Sequence, residues 1–356
     1  MKKFIALLMA IVMVASLAAC GNSSAPAATE APAATEAPAA ADAAAPAEAG
    51  TAASPEYTLT MAIPSNPEDS CTKAFYYFEK IVEERSNGRI DVQVYDSGQL
   101  GSHADYIDSM QMHSLAAAEV NTSVLGNVDS AFSVFDLPYL TDGMDQLIEI
   151  LDGGLGEVLD QRLQDAAGLK IIGWLVRSPR DIYTNKGPVT CLADLAGTKI
   201  RIMESALMSE AMTDLGMIPV PLAATERYMA LQTGTVDAAE NSIPLIITQA
   251  EYEVTKYVVL TEHFCTPNLI AMDVEFYNAL PDDLKVIIDE AGDEAGKYAS
   301  QLDKENEAVA LEELANDYGM TICEIEDKTE FMDAVAPLYD SYRDKIGQDI
   351  YDYFGK

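Results

Sequence analysis

From residue 57 onward the chain alternates two hydrophobic periods, and that alternation restricts it to a small set of folds. YTLTMAI (57–63) repeats every second residue, as a half-buried strand does. Pro67 to Ser70 supply a helix start, and the helical pattern runs to about Ser86, where Asn87 and Gly88 stop it. IDVQVY (90–95) returns to period two. A turn at Gly98 and Gly101 leads into a predicted helix over about 102–113, and LAAAEVN follows as a strand. Successive β-α-β units of this kind predict an α/β protein with a mostly parallel sheet and helices on both sides. The second half keeps the style, with strands predicted at 169–176, 181–185, 198–203 and 218–221 and helices near 205–215 and 225–233. From Pro281 the chain turns mainly helical, in acidic amphipathic stretches to about Tyr318 and again near 329–346.

The two ends differ in kind. Lys2 and Lys3 precede an apolar run over 4–17, followed by Ala18, Ala19, Cys20 and Gly21. This reads as a secretory signal peptide (1–20) with a lipoprotein cleavage site, leaving Cys20 as the first mature residue with a lipidated thiol. An uncleaved membrane helix is the rival, but the run is shorter than the ~20 residues a span needs. Residues 21–55 are Ala, Pro, Thr and Glu in near-repeats of APAATEAPAA, with no large apolar side chain to offset ordering entropy. They are expected to be a disordered tether reaching roughly 30 Å. The protein is therefore placed outside the cytoplasm, lipid-anchored to the cell membrane.

About 300 residues remain, long for one core and natural for two lobes. Lobe I is expected over 56–178 plus about 264–305, and lobe II over 179–263 plus about 306–356. Crossovers are expected near 178–180 and 262–264. Ligands of open α/β sheets bind at the carboxyl ends of strands, so two facing lobes make a cleft.

The chain carries 58 acidic against 22 basic residues, which argues against a nucleic-acid partner. It does not exclude a small anion, because surface charge is screened over about 8 Å while a desolvated guanidinium acts at contact. Cys71, Cys191, Cys265 and Cys323 show no metal-site spacing, and either disulfides or free thiols fit them. No metal and no cofactor are expected. GxSxG, HExxH and P-loop motifs are absent, and His103, His113 and His263 are scattered. An exported lipoprotein hydrolase with an unrecognised site is the alternative to a binding protein, and a metal-binding lipoprotein a weaker third.

Residues 194–241 hold the candidate ligand group. Arg201 lies between Ile200 and Ile202 in a short β-type run, where a cation is costly to bury unless something negative or a set of carbonyls meets it. Its partner is either a ligand anion or a neighbour such as Glu204. Two helices and a Pro-rich turn follow, ending at Glu240 and Asn241.

Five segments, in order, resemble one family: NGRIDVQVYDSGQLG (87–101), FDLPYL (135–140), DLAGTKIRIMES (194–205), YMALQTGTVDAAENSIPLI (228–246) and YEVTKYVVLTEH (252–263). It is the DctP-like family of extracytoplasmic solute-binding proteins of tripartite ATP-independent periplasmic (TRAP) transporters. The resemblance implies two α/β lobes with a long C-terminal crossover helix, closing on a small organic acid. The implied partners are the small and large TRAP membrane subunits. It implies no enzymatic activity, and the protein is expected to be a monomer.

Carried over residue by residue, Arg201 resembles the family's carboxylate-binding arginine, whose fork gives charge and orientation together. Arg180 resembles a second arginine near the acid, with Arg177 competing for that role. Asn241 resembles a ligand-donating asparagine. Asn121 is either a ligand contact at a strand end or a turn former. Tyr228 is also expected at the site. Ala224 stands where relatives often place an aromatic, and Ala238 and Ala239 where they commonly have Gly-Gln. His103 either faces the ligand or covers the first turn of its helix, and Trp174 is expected in a lobe core.

Overall fold

A computed structural model describes residues 54–356. The expected leader, Cys20 and all but the last two residues of the tether lie outside these. Two sheets organise the described residues. The first contains β1 (Tyr57–Ala62), β2 (Ile90–Tyr95), β3 (Ala117–Asn121), β4 (Leu169–Leu175) and β10 (Asn268–Asp273), in the order β2-β1-β3-β10-β4. The second contains β5 (Arg180–Thr184), β6 (Lys199–Ile202), β7 (Ile218–Pro221), β8 (Ala238–Ser242), β9 (Tyr257–Phe264) and β11 (Thr321–Glu324), in the order β11-β9-β5-β8-β6-β7. Each sheet with its helices forms one lobe of a two-lobed α/β fold.

The expected parallel arrangement holds except for one strand in each sheet. β10 runs antiparallel to β3 and β4, and β5 runs antiparallel to β8 and β9. These two strands arrive directly from the other sheet, through residues 176–179 and 265–267. A chain that leaves one sheet at the carboxyl end of a strand enters the other at the same edge and must run away from it. Consequently the first residues of β5 and β10, Arg180 and Asn268, share the cleft edge with the last residues of β3 and β8.

Local chemistry sets the element ends. Asp69 caps the helix Ser70–Arg85 by accepting from Cys71 N–H at 3.0 Å. Asn87 and Gly88, both in the left-handed region at φ 54° and 74°, turn the chain from that helix into β2. Ser102 and Asp105 form a capping box that starts the helix His103–Gln111. The predicted helix over 329–346 is instead two helices, Thr329–Val335 and Pro337–Ile346, because proline cannot donate within a helix interior but suits a first turn.

Phe75, Phe78 and Val82 pack with Leu284, Ile288 and Ala295 against Leu59, Met61 and Ile270 of the first sheet. On the second sheet Tyr183, Ala239 and Val258 pack with Ile246 and Leu314. A further cluster joins Phe132 and Phe135 to Leu207, Met208, Tyr342 and Ile350, so the C-terminal helices lie against both the Ser130–Asp136 turn and the helix Ala206–Asp214. Trp174 is part-buried at the edge of this cluster, beside Phe135. The four described cysteines are free thiols. Among the described residues no helix is long and apolar enough to cross a membrane.

The helix Asp282–Asn316, 35 residues and about 52 Å long at 1.5 Å per residue, touches both lobes. It lies unusually close to β4: a Cβ at Gly292 would sit 2.1 Å from the Ile172 carbonyl oxygen, and one at Gly296 would sit 2.5 Å from that of Trp174. A backbone carbonyl cannot rotate aside as a side chain can. Gly292→Ala is therefore expected to lower stability by about 1–3 kcal/mol despite alanine's better helix propensity. Thermal unfolding checks this, and a melting temperature at or above the parent's would show that helix and strand can part at no cost.

Candidate functional site

Between the sheets lies a cavity of about 210 Å³ whose walls come from both lobes. Of the residues expected at the site, Arg180, Asn241, Asn121, Ala224, His103 and Tyr228 all line it. Arg201 does not. Its guanidinium sits behind the lining residue Met203, whose Sδ is 3.3 Å from Nη2. Nε and Nη2 both donate to the Leu222 carbonyl, at 2.9 and 2.6 Å, so Glu204 is not its partner. Nη1 is buried and donates to nothing. Burial, reinforced by the nearby Arg227 charge, lowers this guanidinium to about 10.

The other arginines of the site are each paired. Arg180, at the start of β5, grips both carboxylate oxygens of Glu240 and donates to its carbonyl at 3.0 Å. Arg177, three residues earlier, is committed to Asp69 at 2.8 and 3.0 Å and to Asp303 at 3.3 Å. It still reaches the cavity wall. Arg227 donates to Glu251, which also accepts from Tyr183. Tyr228 spends its hydroxyl on Glu253 at 2.9 Å, so only the rest of its side chain is left for a ligand. The Asn241 amide oxygen accepts the next residue's N–H at 3.0 Å.

The first lobe supplies a polar wall of another kind. Asn121 ends β3, caps the short helix Thr122–Leu125 through Ser123 N–H, and donates to Asn268. Both alternatives weighed for Asn121 are therefore met at once: it forms a turn and lines the cavity. Asn268 donates in turn to Glu119, which shares a strand face with Asn121 because alternate residues point the same way. His103, on the first turn of its helix, is buried with neither ring nitrogen hydrogen-bonded.

Three hydrogen bonds tie the rims of the cleft together. Asn66 donates to the Thr248 carbonyl at 2.5 Å, Asn127 to that of Glu204 at 2.7 Å, and Ser205 to Asp136 at 2.6 Å. Asp136, from the FDLPYL segment, also accepts from Ser123, and burial pushes its carboxyl up to about 6. The lobes are thus held closed over the cavity.

Sequence reasoning had not placed Glu119, Arg227, Glu251, Asn268 or Asn66 at the site. A signal existed for two of them: Glu119 is two residues before Asn121 in a strand, and Arg227 adjoins Tyr228.

The profile of the DctP family, described as bacterial extracellular solute-binding protein family 7, matches residues 61–345. The chain belongs to this family. A relative from Chromohalobacter salexigens, named a solute-binding protein, is 30% identical over 78% of this chain and 82% of its own length. The C4-dicarboxylate-binding periplasmic protein DctP of Rhodobacter capsulatus is 29% identical, over 79% and 85%. A solved TRAP periplasmic solute-binding protein from Roseobacter denitrificans, with bound β-D-glucuronate, superposes with a TM-score of 0.80 at 27% identity, covering 83% of this chain and 98% of its own. DctP proteins bind solutes for transporters outside the cytoplasm and are not enzymes, which agrees with a cavity lined by paired charges and amides.

Proposed function

We propose that the protein captures a small organic acid by lobe closure and delivers it to the small and large membrane subunits of a TRAP transporter. The observation that carries this reading is Arg201. Arg177, Arg180 and Arg227 all have carboxylate partners, whereas Arg201 is equally buried, has none, and keeps one donor, Nη1, unused. A buried cation without an anion is an incomplete arrangement, and a ligand carboxylate completes it. A ligand approaching this guanidinium from the cavity meets Met203, whose Sδ lies against Nη2, and must displace it, a small demand on a flexible thioether side chain. Arg180 and Asn241 supply further donors at the cavity wall. Closure excludes water and strengthens each charged hydrogen bond. Before and after capture the protein stays tethered to the membrane through a lipid on Cys20, and it works as a monomer.

Thermal-shift screening of organic acids on the purified protein tests this. At a hundred times its dissociation constant, the right acid stabilises by about 2.7 kcal/mol, a rise of roughly 5 °C or more. Calorimetry should then give one site per chain, with the acid recovered unchanged. Turnover of the acid would favour the hydrolase alternative instead.

A further inference from the structure

The two walls of the cavity end in unlike groups. On the second-lobe side the unused groups are donors, Gln249 Nε2 on a lining residue and Arg201 Nη1 behind the lining residue Met203. On the first-lobe side the unused carboxylate oxygen is Glu119 Oε2, which is buried, has no hydrogen-bond partner, and belongs to a cavity-lining residue; Arg177 Nε and both ring nitrogens of His103 are unpaired on the same side. The orientation of the amides behind it is forced. A carboxylate has no hydrogen to give, so Asn268 must turn its NH2 toward Glu119, and its carbonyl oxygen must then accept from Asn121. The chain of donors therefore points at Glu119 and leaves its second oxygen as the terminus. His103 Nε2 lies 3.7 Å from that oxygen, beyond hydrogen-bond range, so a ligand group can pair with either.

Charge separates the walls in the same sense. Around the first-lobe wall three carboxylates, Asp69, Glu119 and Asp303, share one guanidinium, Arg177. His103, Cys71 and Tyr106 are the further titratable groups there. Around the second-lobe wall three guanidiniums, Arg180, Arg201 and Arg227, face Glu240 and Glu251, with Asp136 of the first lobe near Arg180 as well. We infer that the site selects hydroxylated monocarboxylates over dicarboxylates, with Glu119 accepting a ligand hydroxyl and repelling a second carboxylate. A ligand must present an acceptor with negative charge at one end and an O–H donor at the other. An aldonate or uronate does so, whereas the far carboxylate of a dicarboxylate would set acceptor against acceptor beside a buried negative group. A site that binds a substrate hydroxyl discriminates strongly against analogues lacking it, since its own polar groups are then left unpaired.

This inference rests on the reading of the site as an organic-acid trap, and its test separates the two. Calorimetry on the purified protein compares aldonates and uronates of four to six carbons with dicarboxylates and unsubstituted monocarboxylates of the same lengths. The tightest hydroxylated monocarboxylate is expected to bind at least tenfold more tightly than any dicarboxylate or plain acid. A dicarboxylate that binds as well or better overturns the selectivity while leaving the organic-acid reading intact. Failure of every acid overturns both. Glu119→Gln should shrink the preference over dicarboxylates at least tenfold. Glu119→Asp, which retracts the acceptor but keeps the charge, should weaken hydroxy-acid binding and still exclude dicarboxylates. Wild-type preference with no response in either folded variant would remove Glu119 from the selection.

Discussion

Arg201→Lys is expected to leave the fold intact and to weaken binding of the cognate acid at least tenfold, about 1.4 kcal/mol. The ammonium can still donate to the Leu222 carbonyl, so the apo protein should melt within a few degrees of the parent. It cannot hold that carbonyl and present a second, fixed donor to a carboxylate at once, which the guanidinium fork does. Arg201→Met removes the charge altogether and should cost about 2–5 kcal/mol of binding, the range for truncating one partner of a buried charged pair. Calorimetry with one ligand on all three proteins decides the matter. Unchanged affinity in the lysine variant would take Arg201 out of the site and leave Arg180 and Arg227 to account for anion binding.

Asp303→Ala is expected to be the most damaging single change to stability. Asp303 sits buried on the long helix and accepts from Ser70 at 3.0 Å, from Arg177 at 3.3 Å, and from the Ser178 N–H and hydroxyl at 2.8 Å each. Its loss strands several donors and reduces Arg177 to Asp69 as its close partner. Breaking such a buried pair costs about 3–5 kcal/mol, equivalent to roughly 10 °C in melting temperature. Asp303→Asn, which keeps an acceptor at the same place, should lose markedly less. Equal melting temperatures for the alanine variant and the parent would mean that water replaces the carboxylate. Because Ser178 directly precedes the strand that carries Arg180, ligand affinity should fall with stability.

Strands with one buried face were legible in the sequence. YTLTMA and IDVQVY alternate cleanly, and both form where period two placed them. β8, β9, β10 and β11 were not read as strands. β8 and β10 are buried along their whole length, so no alternation appears. AAENS in β8 is moreover polar by composition yet buried by pairing, because Glu240 meets Arg180 inside the fold. Lining residues with a motif around them, such as Arg180 and Asn241, could be named in advance. Glu119 could not be singled out, since nothing local distinguishes one carboxylate among 58 acidic residues. Its significance lies in a partner, Asn268, nearly 150 residues away. Arg201 shows the converse limit. Its burial was readable from its apolar neighbours, but the intervening Met203 side chain depends on how two turns of chain pack.

The link at residues 176–179 has a mechanical consequence. Arg177 is bolted to acids of one lobe and Arg180 to an acid of the other, with Ser178 held by the long helix. One of the two links between the lobes and part of the pocket wall are therefore the same few residues. Any torque that swings one lobe against the other drags Arg180 relative to Arg177, distorting the grip on the cargo from beneath. A membrane partner grasping only the outer faces could unload the protein by leverage, without touching the acid.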